Sequence, residues 1–306
     1  MKRPVYNALQ SLLHNRRHFI SALCVRFGFL FSDERYLKIQ HRLIFRKPLD
    51  LVNPVTYNDK LQWLKLYNHR HEYTTMADKV KVKQYVAERI GEQYVVPLLG
   101  VWDRPEDIEW DKLPEKFVLK TNHDGGSYGV VVCKDKESFD QVKAIKRLKA
   151  SLRRDTYMLG REWPYKNIQR KILAEQFVEG AGTNELLDCK FFCFDGKVKL
   201  LYLVTYGKTG SHQDFFDEDF NPLDLQGLYP NSLSKPSKPA HFELMKELAQ
   251  RLSEGIPHVR VDFFEANDKV YFSEFTFFPS GGWAAFHPEE WDYTLGQFIK
   301  LPEKMV

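Results

Sequence analysis

Residues 259–282 place the strongest constraint on how this chain folds. They read as two strands joined by a tight turn at residues 266–269. The strands are apolar and aromatic except for one central carboxylate each, Asp262 on the first and Glu274 on the second. Because an unpaired buried charge costs several kcal/mol, two carboxylates that face each other need a cation between them. Their hard oxygen atoms suit Mg²⁺.

The strand register decides whether these two carboxylates meet. Facing residues of an antiparallel pair have a constant sum of residue numbers, so Asp262 and Glu274 share a face only with an odd-length loop or a β-bulge. A two-residue loop at Asn267 and Asp268 would by itself put them on opposite faces. Arg260 lies two residues before Asp262, on the same face. Two acids and an arginine are what a metal-bound polyphosphate site requires; an edge hairpin with one solvated face is the alternative.

Length and composition limit the class of protein. At 306 residues, with 43% hydrophobic and 28% charged residues, the chain suits a globular enzyme of two packed lobes or one large domain. A net charge of +4 is too small and too dispersed to indicate nucleic-acid binding, but it suits an anionic small molecule. The four cysteines form no CxxC pair, which predicts reduced thiols in a cytoplasmic protein and no zinc.

Hydrophobic periodicity predicts an α+β fold with mostly antiparallel sheets. We expect a mainly helical region at 1–94, with Thr56 capping one helix and Gly91 ending another at 78–91. A smaller lobe is expected at 95–178 and a larger one at 179–306. The predicted strands are 117–121, 130–133, 172–178, 186–194, 198–205 and the hairpin. Further helices are expected at 138–154 and 242–254, and a long functional loop at 206–239.

A second motif follows the strand at 117–121. This strand carries Lys120, and a glycine-rich loop and a returning strand come after it. Free backbone N–H groups in such a loop bind anions, and Lys120 adds a charge at the same place. The loop residues in question are Gly125, Gly126, Ser127 and Gly129. An ordinary glycine-rich hairpin is the alternative.

Two further positions suggest a ligand pocket. The strand that ends at Glu175 and the linker Gln176, Phe177 and Val178 could present backbone groups to a flat base; the alternative is a strand edge with solvated acids. Lys190 lies inside an apolar strand, where a lysine either reaches out at an edge or points into a charged pocket. The pocket is the preferred interpretation.

The N-terminus carries a membrane signal of limited strength. Residues 19–31 are apolar except for Ser21, Arg26 and Gly28, and further arginines precede them. The stretch is too short and too interrupted to span a bilayer. A basic amphipathic helix can rest on a membrane surface, which would mean peripheral association with the inner face of the membrane. A helix packed on its own protein is the alternative.

Taken in order, these segments resemble the ATP-grasp fold, and more narrowly the TupA-like ATP-grasp proteins of bacterial surface-polysaccharide and teichuronopeptide biosynthesis. The resemblance rests on residues 51–63, Asp78-Lys79, 113–123, 189–197 and the hairpin at 259–282. It departs from the family in Thr276, which stands where the usual Glu-x-Asn metal motif has asparagine. It departs also in the helical N-terminal region, which replaces a Rossmann-like domain.

The resemblance implies an ATP site between two lobes and an ADP-forming carboxylate–amine ligase. Lys79, Lys120 and the glycine loop would hold phosphates, Glu175 to Val178 would frame adenine, and Glu185 would contact ribose or substrate. Asp262, Glu274 and Thr276 would hold one or two Mg²⁺ ions. Arg260 would stabilise the transferring phosphoryl group, with Lys190 beside it. The acceptor would be a small molecule, a glycan or a peptide.

Three other functions remain open from the sequence. The same scaffold could serve a kinase that acts on a hydroxyl. Asp217-Glu218-Asp219 is formally a DxD motif, which in a glycosyltransferase would hold a metal on a sugar nucleotide. A non-catalytic nucleotide sensor is the third.

Overall fold

The computed structural model describes residues 16–179, 188–207 and 210–305, which form a helical region and two antiparallel sheets. The described α-helices are α1 Arg16–Arg26, α2 Asp33–Phe45, α3 Tyr57–Tyr67, α4 His71–Ala77, α5 Lys81–Ile90, α6 Gln141–Leu152, α7 Thr156–Gly160, α8 Phe242–Leu252 and α9 Glu290–Phe298. The described strands are β1 Leu98–Trp102, β2 Phe117–Thr121, β3 Val131–Cys133, β4 Ile172–Gln176, β5 Asp188–Phe194, β6 Lys197–Gly207, β7 Gly210–Asp217, β8 Val259–Ala266 and β9 Lys269–Thr276. The predicted α+β class is confirmed.

Local signals in the sequence set the ends of the N-terminal helices. The Thr56 hydroxyl accepts a hydrogen bond from the Asp59 backbone N–H at 3.1 Å and so caps α3, as predicted. The helix predicted at 78–91 is α5, and it ends at Gly91, whose φ of 116° favours glycine. Helix α4 was not predicted, because its seven residues are too few to show a clear period. Its formation depends on burial of Tyr73 and Met76.

The smaller sheet has the strand order β1-β4-β2-β3. Its core contains Phe117, Leu119, Ile172 and Ala174, with Leu148 from α6 packed against them. Strand β1 was not predicted, since Gly100 interrupts a short apolar run. It forms by pairing with β4 along its length. Lys120 lies on β2, which β3 and β4 flank.

The larger sheet has the order β7-β6-β5-β8-β9, and helices cover both of its faces. On β5, Phe191 points to one face and lies 5.9 Å from the ring of Phe242 on α8. Phe192 points to the other face and lies 6.2 Å from the ring of Tyr57 on α3. The N-terminal helices therefore share one hydrophobic core with this sheet. Lys190 lies on the same face as Phe192 by the period-2 rule.

Part of the loop expected at 206–239 is a strand instead. Residues Gly210–Asp217 form β7 and pair with β6. The polar composition of this segment indicated a loop, so the strand was missed. The structure shows that Asp214 is fully buried and that the Lys235 ammonium and the Ser232 hydroxyl, each at 2.6 Å, compensate its charge. Local composition cannot show such compensation, since it depends on residues that follow the strand in the chain. Helix α9 was likewise not predicted.

The β8–β9 hairpin combines a two-residue loop with a bulge. Asn267 and Asp268 form the loop, both with positive φ, and Ala266 pairs with Lys269. Asp262 faces Glu274, whereas Phe263 faces Phe272, so that Ser273 is an extra residue on β9. The loop alone would have separated the two carboxylates, and the bulge restores them to one face.

In the described part of the chain, no helix combines the length and apolarity needed to cross a bilayer.

Candidate functional site

A cleft opens between the two sheets. One wall comes from the helical region and the smaller sheet, and the opposite wall comes from β8 and β9. The polar residues that line the cleft are Lys79, Lys83, Lys120, Tyr165, Glu175, Gln176, Ser273 and Glu274. The apolar residues include Val96, Val118, Val178, Phe264 and Phe272. The cleft therefore offers an apolar part and a cationic part side by side.

Glu175 joins two lysines on the wall of the smaller sheet. Its carboxylate lies 2.6 Å from the Lys83 ammonium and 2.6 Å from the Lys120 ammonium. Burial raises the pKa of the Glu175 carboxyl, but the Lys120 and Lys83 charges outweigh this effect and lower it to about 2. Burial lowers the pKa of Lys83. Glu175 thus stays ionised and fixes two cations at the edge of the cleft.

Lys79 connects the cleft with the loop that follows β2. Its ammonium donates to the Asp124 carbonyl at 2.5 Å, and its backbone N–H donates to the Asn122 carbonyl. Asn122 is fully buried, and its amide donates to the Asp78 carboxylate at 2.9 Å. Burial lowers the pKa of Lys79, while Glu274 opposes that change. These contacts make the start of α5 and the end of β2 one rigid unit.

The glycine-rich loop is fixed at its end and open at its tip. A Cβ atom at Gly129 would lie 2.2 Å from the Thr121 hydroxyl and 2.4 Å from the Ser151 hydroxyl, so only glycine fits there. At Gly125 and Gly126, in contrast, an added Cβ would meet no atom within 4 Å. Gly125, Gly126 and Ser127 are exposed. An open tip of this kind leaves room for an anion, and phosphate binding by this loop stays a prediction.

The opposite wall carries a buried cluster around Asp262. The Arg260 guanidinium donates to both carboxylate oxygens of Asp262, at 2.7 and 2.6 Å, and Lys190 donates to one of them at 2.7 Å. Burial raises the pKa of Asp262, but the two cations outweigh it and lower that pKa below its ordinary value. Lys190 also lies 2.6 Å from the Asp188 carboxylate, so the predicted charged pocket for Lys190 is confirmed.

Arg260 is held in place by three different residues. Besides Asp262, it donates to the Tyr202 hydroxyl at 3.0 Å and to the Glu274 carboxylate at 3.3 Å. Four of its five N–H groups thus have a described partner, which leaves one N–H for a ligand. The Glu274 side chain is 30% exposed and lines the cleft, and Thr276 pairs with Arg260 across the two strands. The buried Arg260 guanidinium is therefore held in one orientation beside Glu274.

The acidic residues of this cluster fit Mg²⁺ in donor type and in charge. Asp262 and Glu274 offer carboxylate oxygens and Thr276 a hydroxyl, and the cluster holds three carboxylates against two cationic side chains when Asp188 is included. The described residues contain no group of three or more His, Cys, Asp or Glu arranged to hold a metal. Mg²⁺ commonly binds through one or two carboxylates together with substrate phosphates and water. Arg260 and Lys190 already bind both oxygens of the buried Asp262, and Glu274 is the carboxylate of this cluster that lines the cleft. Glu274 is therefore the residue that fits a Mg²⁺ ion arriving with a polyphosphate.

The predicted adenine segment borders the apolar part of the cleft. Gln176 and Val178 line the cleft, and Phe177 lines a groove beside it. Val178 packs with Val96 and Ala266 in a small apolar cluster. A planar base could lie against these side chains. Glu185 lies outside the described residues.

Four residues of the site were missed by the sequence analysis: Lys83, Tyr165, Asp188 and Tyr202. Lys83 lies on α5, four residues after Lys79, which precedes that helix; this closeness in the sequence could have indicated a second cation nearby. Burial raises the pKa of the Tyr165 hydroxyl well above its ordinary value, and so does the nearby Glu162. We find no sequence signal for Asp188 or Tyr202, since their positions follow from the pairing of β5 with β6 and β8.

The formal DxD motif is not part of this cleft. The Asp217 carboxylate accepts hydrogen bonds from the backbone N–H groups of Asp219 and Asn221 and from the Asn221 side chain, at 2.8 to 2.9 Å. It therefore closes a local turn at the end of β7. Asp219 lies 3.8 Å from Lys246. This arrangement gives no support to the sugar-nucleotide alternative.

Several solved structures are similar to parts of this chain at low sequence identity. The chain resembles the D-alanine–D-alanine ligase of Helicobacter pylori over 80% of its own length and 69% of that chain, at 15% identity and a TM-score of 0.43. It resembles the Bacillus anthracis D-alanine–D-alanine ligase over 66% of its own length and 57% of that chain, at 18% identity and a TM-score of 0.37. The ATP-grasp ligase PsnB, solved with its minimal precursor, Mg and ADP, is similar over 89% of this chain and 65% of that chain, at 12% identity and a TM-score of 0.40.

Sequence comparison identifies the family. No curated protein matches the chain. The family profile described as TupA-like ATPgrasp matches residues 59–300, most of the chain, including the cleft walls and the β8–β9 hairpin. The chain therefore belongs to the TupA-like ATP-grasp family.

Proposed function

We propose that the protein is an ATP- and Mg²⁺-dependent ligase that activates a carboxylate as an acyl phosphate and joins it to an amine. The observation that carries the proposal is one cleft with three lysines, Lys79, Lys83 and Lys120, on one wall and Glu274 on the other, with the buried Arg260 and Asp262 directly beside Glu274. The biosynthesis of a bacterial surface polysaccharide or teichuronopeptide is the proposed setting. The acceptor would be an amino acid or an amino sugar.

The two ends of the cleft suggest how a nucleotide would be oriented. Val96, Val178 and Phe264 form the apolar end, which suits a purine. Lys79 and Lys120 lie at the polar end, where their charges would neutralise phosphate oxygens. Since Glu175 already holds Lys120, the phosphates would share this lysine with a carboxylate that remains ionised. The glycine-rich loop at 125–129 would cover the phosphates on the side away from Lys79 and Lys120.

Bound ATP and Mg²⁺ would supply the transferable phosphoryl group and its charge neutralisation. Arg260, held by Asp262 and Tyr202, would direct its remaining N–H to that group without reorganising. Burial lowers the pKa of Lys190, but the Asp262 and Asp188 charges outweigh it and raise that pKa, so Lys190 would stay protonated. These residues orient and neutralise charge, and none of them is needed as a nucleophile.

The proposed reaction balances in two steps. A carboxylate oxygen of the substrate attacks the terminal phosphorus of ATP, which gives an acyl phosphate and releases ADP. The amine then attacks the acyl carbon, and the C–O bond to phosphate breaks to give an amide and inorganic phosphate. One oxygen of the original carboxylate therefore leaves with the phosphate.

This oxygen transfer provides the test. Candidate carboxylates and amines are screened for ADP release, and the active pair is repeated with ¹⁸O in the carboxylate. A ligase gives ¹⁸O-labelled phosphate and a product whose mass is the sum of the substrates minus water. Phosphorylated product without free phosphate would identify a kinase. Binding of a sugar nucleotide that is lost in Asp217→Asn would identify a glycosyltransferase, and either result would refute the proposal.

Matched variants separate the site from general stability. Lys120→Met should lose Mg²⁺-dependent ATP binding, because it removes a cation from the cleft. Lys116→Met, four residues earlier, removes a lysine that pairs with Glu179 on the surface, and it should bind ATP as the parent does. Equal loss in both variants would show that the effect does not come from the cleft.

A further inference from the structure

We infer that the N-terminal end of the fold is a docking surface for an anionic lipid bilayer. Five large apolar side chains within residues 20–30 are exposed: Ile20 at 44%, Leu23 at 40%, Phe27 at 45%, and Phe29 and Leu30 at 68% each. A surface patch of this kind on a soluble domain marks a binding site more often than chance exposure. This inference does not depend on the proposed reaction.

The exposure follows from how α1 packs against the rest of the protein. Ile20, Leu23 and Phe27 are spaced by three and four residues, so they share one face of the helix. The other side is fixed: the Ser21 hydroxyl donates to the Gln40 side chain at 2.6 Å, and the Gln40 amide donates to the Ser21 carbonyl at 3.2 Å. The packed side therefore directs the apolar face outward.

The turn after α1 is anchored as firmly as the helix. Gly28 is buried, and its carbonyl accepts a hydrogen bond from the Arg161 guanidinium at 2.5 Å. Phe31 packs against the main core, whereas its neighbours Phe29 and Leu30 do not. The short 3₁₀ helix Gly28–Leu30 thus presents two large apolar side chains at the surface from a fixed backbone. Because the backbone here is already ordered, docking costs no further backbone entropy at these two positions.

Charge identifies the partner as an anionic surface. Residues 1–50 contain ten of the 45 Lys and Arg residues but three of the 41 Asp and Glu residues, a net charge of +7, while the whole chain carries +4. Arg26 is exposed on α1, and Arg35 and Arg42 are exposed on α2, which packs against it. Anionic headgroups attract such arginines, and apolar side chains among them enter the headgroup boundary. An apolar surface on a second copy of the chain would gain nothing from this concentration of positive charge.

Vesicle sedimentation with the full chain tests the inference. Vesicles of phosphatidylcholine alone and vesicles with added phosphatidylglycerol are compared at low and high salt. We expect binding to the anionic vesicles, weakened by salt. The double variant Phe29→Ser/Leu30→Ser should reduce the partition coefficient about tenfold or more. Arg26→Gln should reduce it about fivefold.

A matched control uses apolar residues that are equally exposed elsewhere. Leu233 and Val142 are 108% and 77% exposed, and Leu233→Ser/Val142→Ser should bind vesicles as the parent does. Circular dichroism confirms that each variant is folded. No binding by the parent, or equal binding by the Phe29→Ser/Leu30→Ser variant, overturns the inference. A parent dimer that becomes monomeric in this variant, without vesicle binding, overturns it too and identifies a self-association face.

Discussion

Replacing Glu175 by glutamine tests the interpretation of the lysine wall most directly. The carboxylate is 7% exposed and lies 2.6 Å from each of two ammonium groups. Lowering its pKa from 4.5 to about 2 corresponds to roughly 3 kcal/mol of stability at neutral pH. The burial cost of Lys83 offsets part of that gain, which leaves about 2–3 kcal/mol. Glu175→Gln should lower the free energy of unfolding by this amount.

The stabilisation by Glu175 should decrease as the pH falls. Because the folded pKa of Glu175 lies below the ordinary value, its contribution is complete above about pH 4.5 and is lost as the pH falls through about 2. The difference between parent and variant should therefore shrink from about 2–3 kcal/mol at about pH 7 to about 1 kcal/mol at about pH 3. Urea unfolding followed by circular dichroism at the two pH values measures it.

A surface ion pair on the same segment provides the control. Glu179 pairs with Lys116, and their side chains are 60% and 48% exposed. Glu179→Gln makes the same chemical change where solvent screens the pair, so its cost should stay below about 1 kcal/mol. A cost for Glu175→Gln no larger than that of Glu179→Gln, or one that does not change with pH, would refute the account of Glu175.

Three further outcomes are expected. Asp262→Asn should lower the free energy of unfolding by about 3–5 kcal/mol, because it removes the fully buried carboxylate that Arg260 and Lys190 share and leaves them the partly exposed Glu274 and Asp188. A change below about 1 kcal/mol in urea unfolding would contradict it. Gly129→Ala should cost about 1–3 kcal/mol through its clash with two hydroxyls, while Gly125→Ala, which meets no neighbour, should leave the melting temperature unchanged. Equal melting temperatures for the two variants would show that the loop shifts enough to relieve the clash at position 129. Burial lowers the pKa of His258 to about 3, so the parent should lose roughly 1 kcal/mol per pH unit as the pH falls from about 6.5 towards 3. His258→Asn should flatten that slope in urea unfolding at a series of pH values, and an unchanged slope would exclude His258 as its source.

Much of the fold was predictable because it depends on short-range signals. The Thr56 cap and the stop at Gly91 act within a few residues of themselves. The structure confirms each of them. Where prediction failed, the local signal was weak or misleading: β7 is rich in polar residues and becomes a strand through its pairing with β6.

In the candidate site, too, some residues were predictable from the sequence and others were not. Arg260, Asp262 and Glu274 were found from the sequence, since carboxylates in an apolar strand stand out without any partner in view. The partners that come from other segments of the chain could not be predicted. Asp262 is neutralised by Lys190 from a neighbouring strand, and Glu175 binds Lys83 from a helix far back in the chain.

By itself, the sequence determined which residues carry charge inside apolar segments, where helix α3 begins and helix α5 ends, and which strand positions share a face. The alternation of side chains between the two faces of a strand and the capping of a helix both depend on residues that are close together in the sequence. Only the tertiary structure decided that the extra residue is Ser273, which restores Asp262 and Glu274 to one face despite the two-residue loop. Only the tertiary structure brought Lys83 and Lys120 to one carboxylate. Such pairings balance desolvation against attraction between distant segments, and that balance exists only once the segments are packed together.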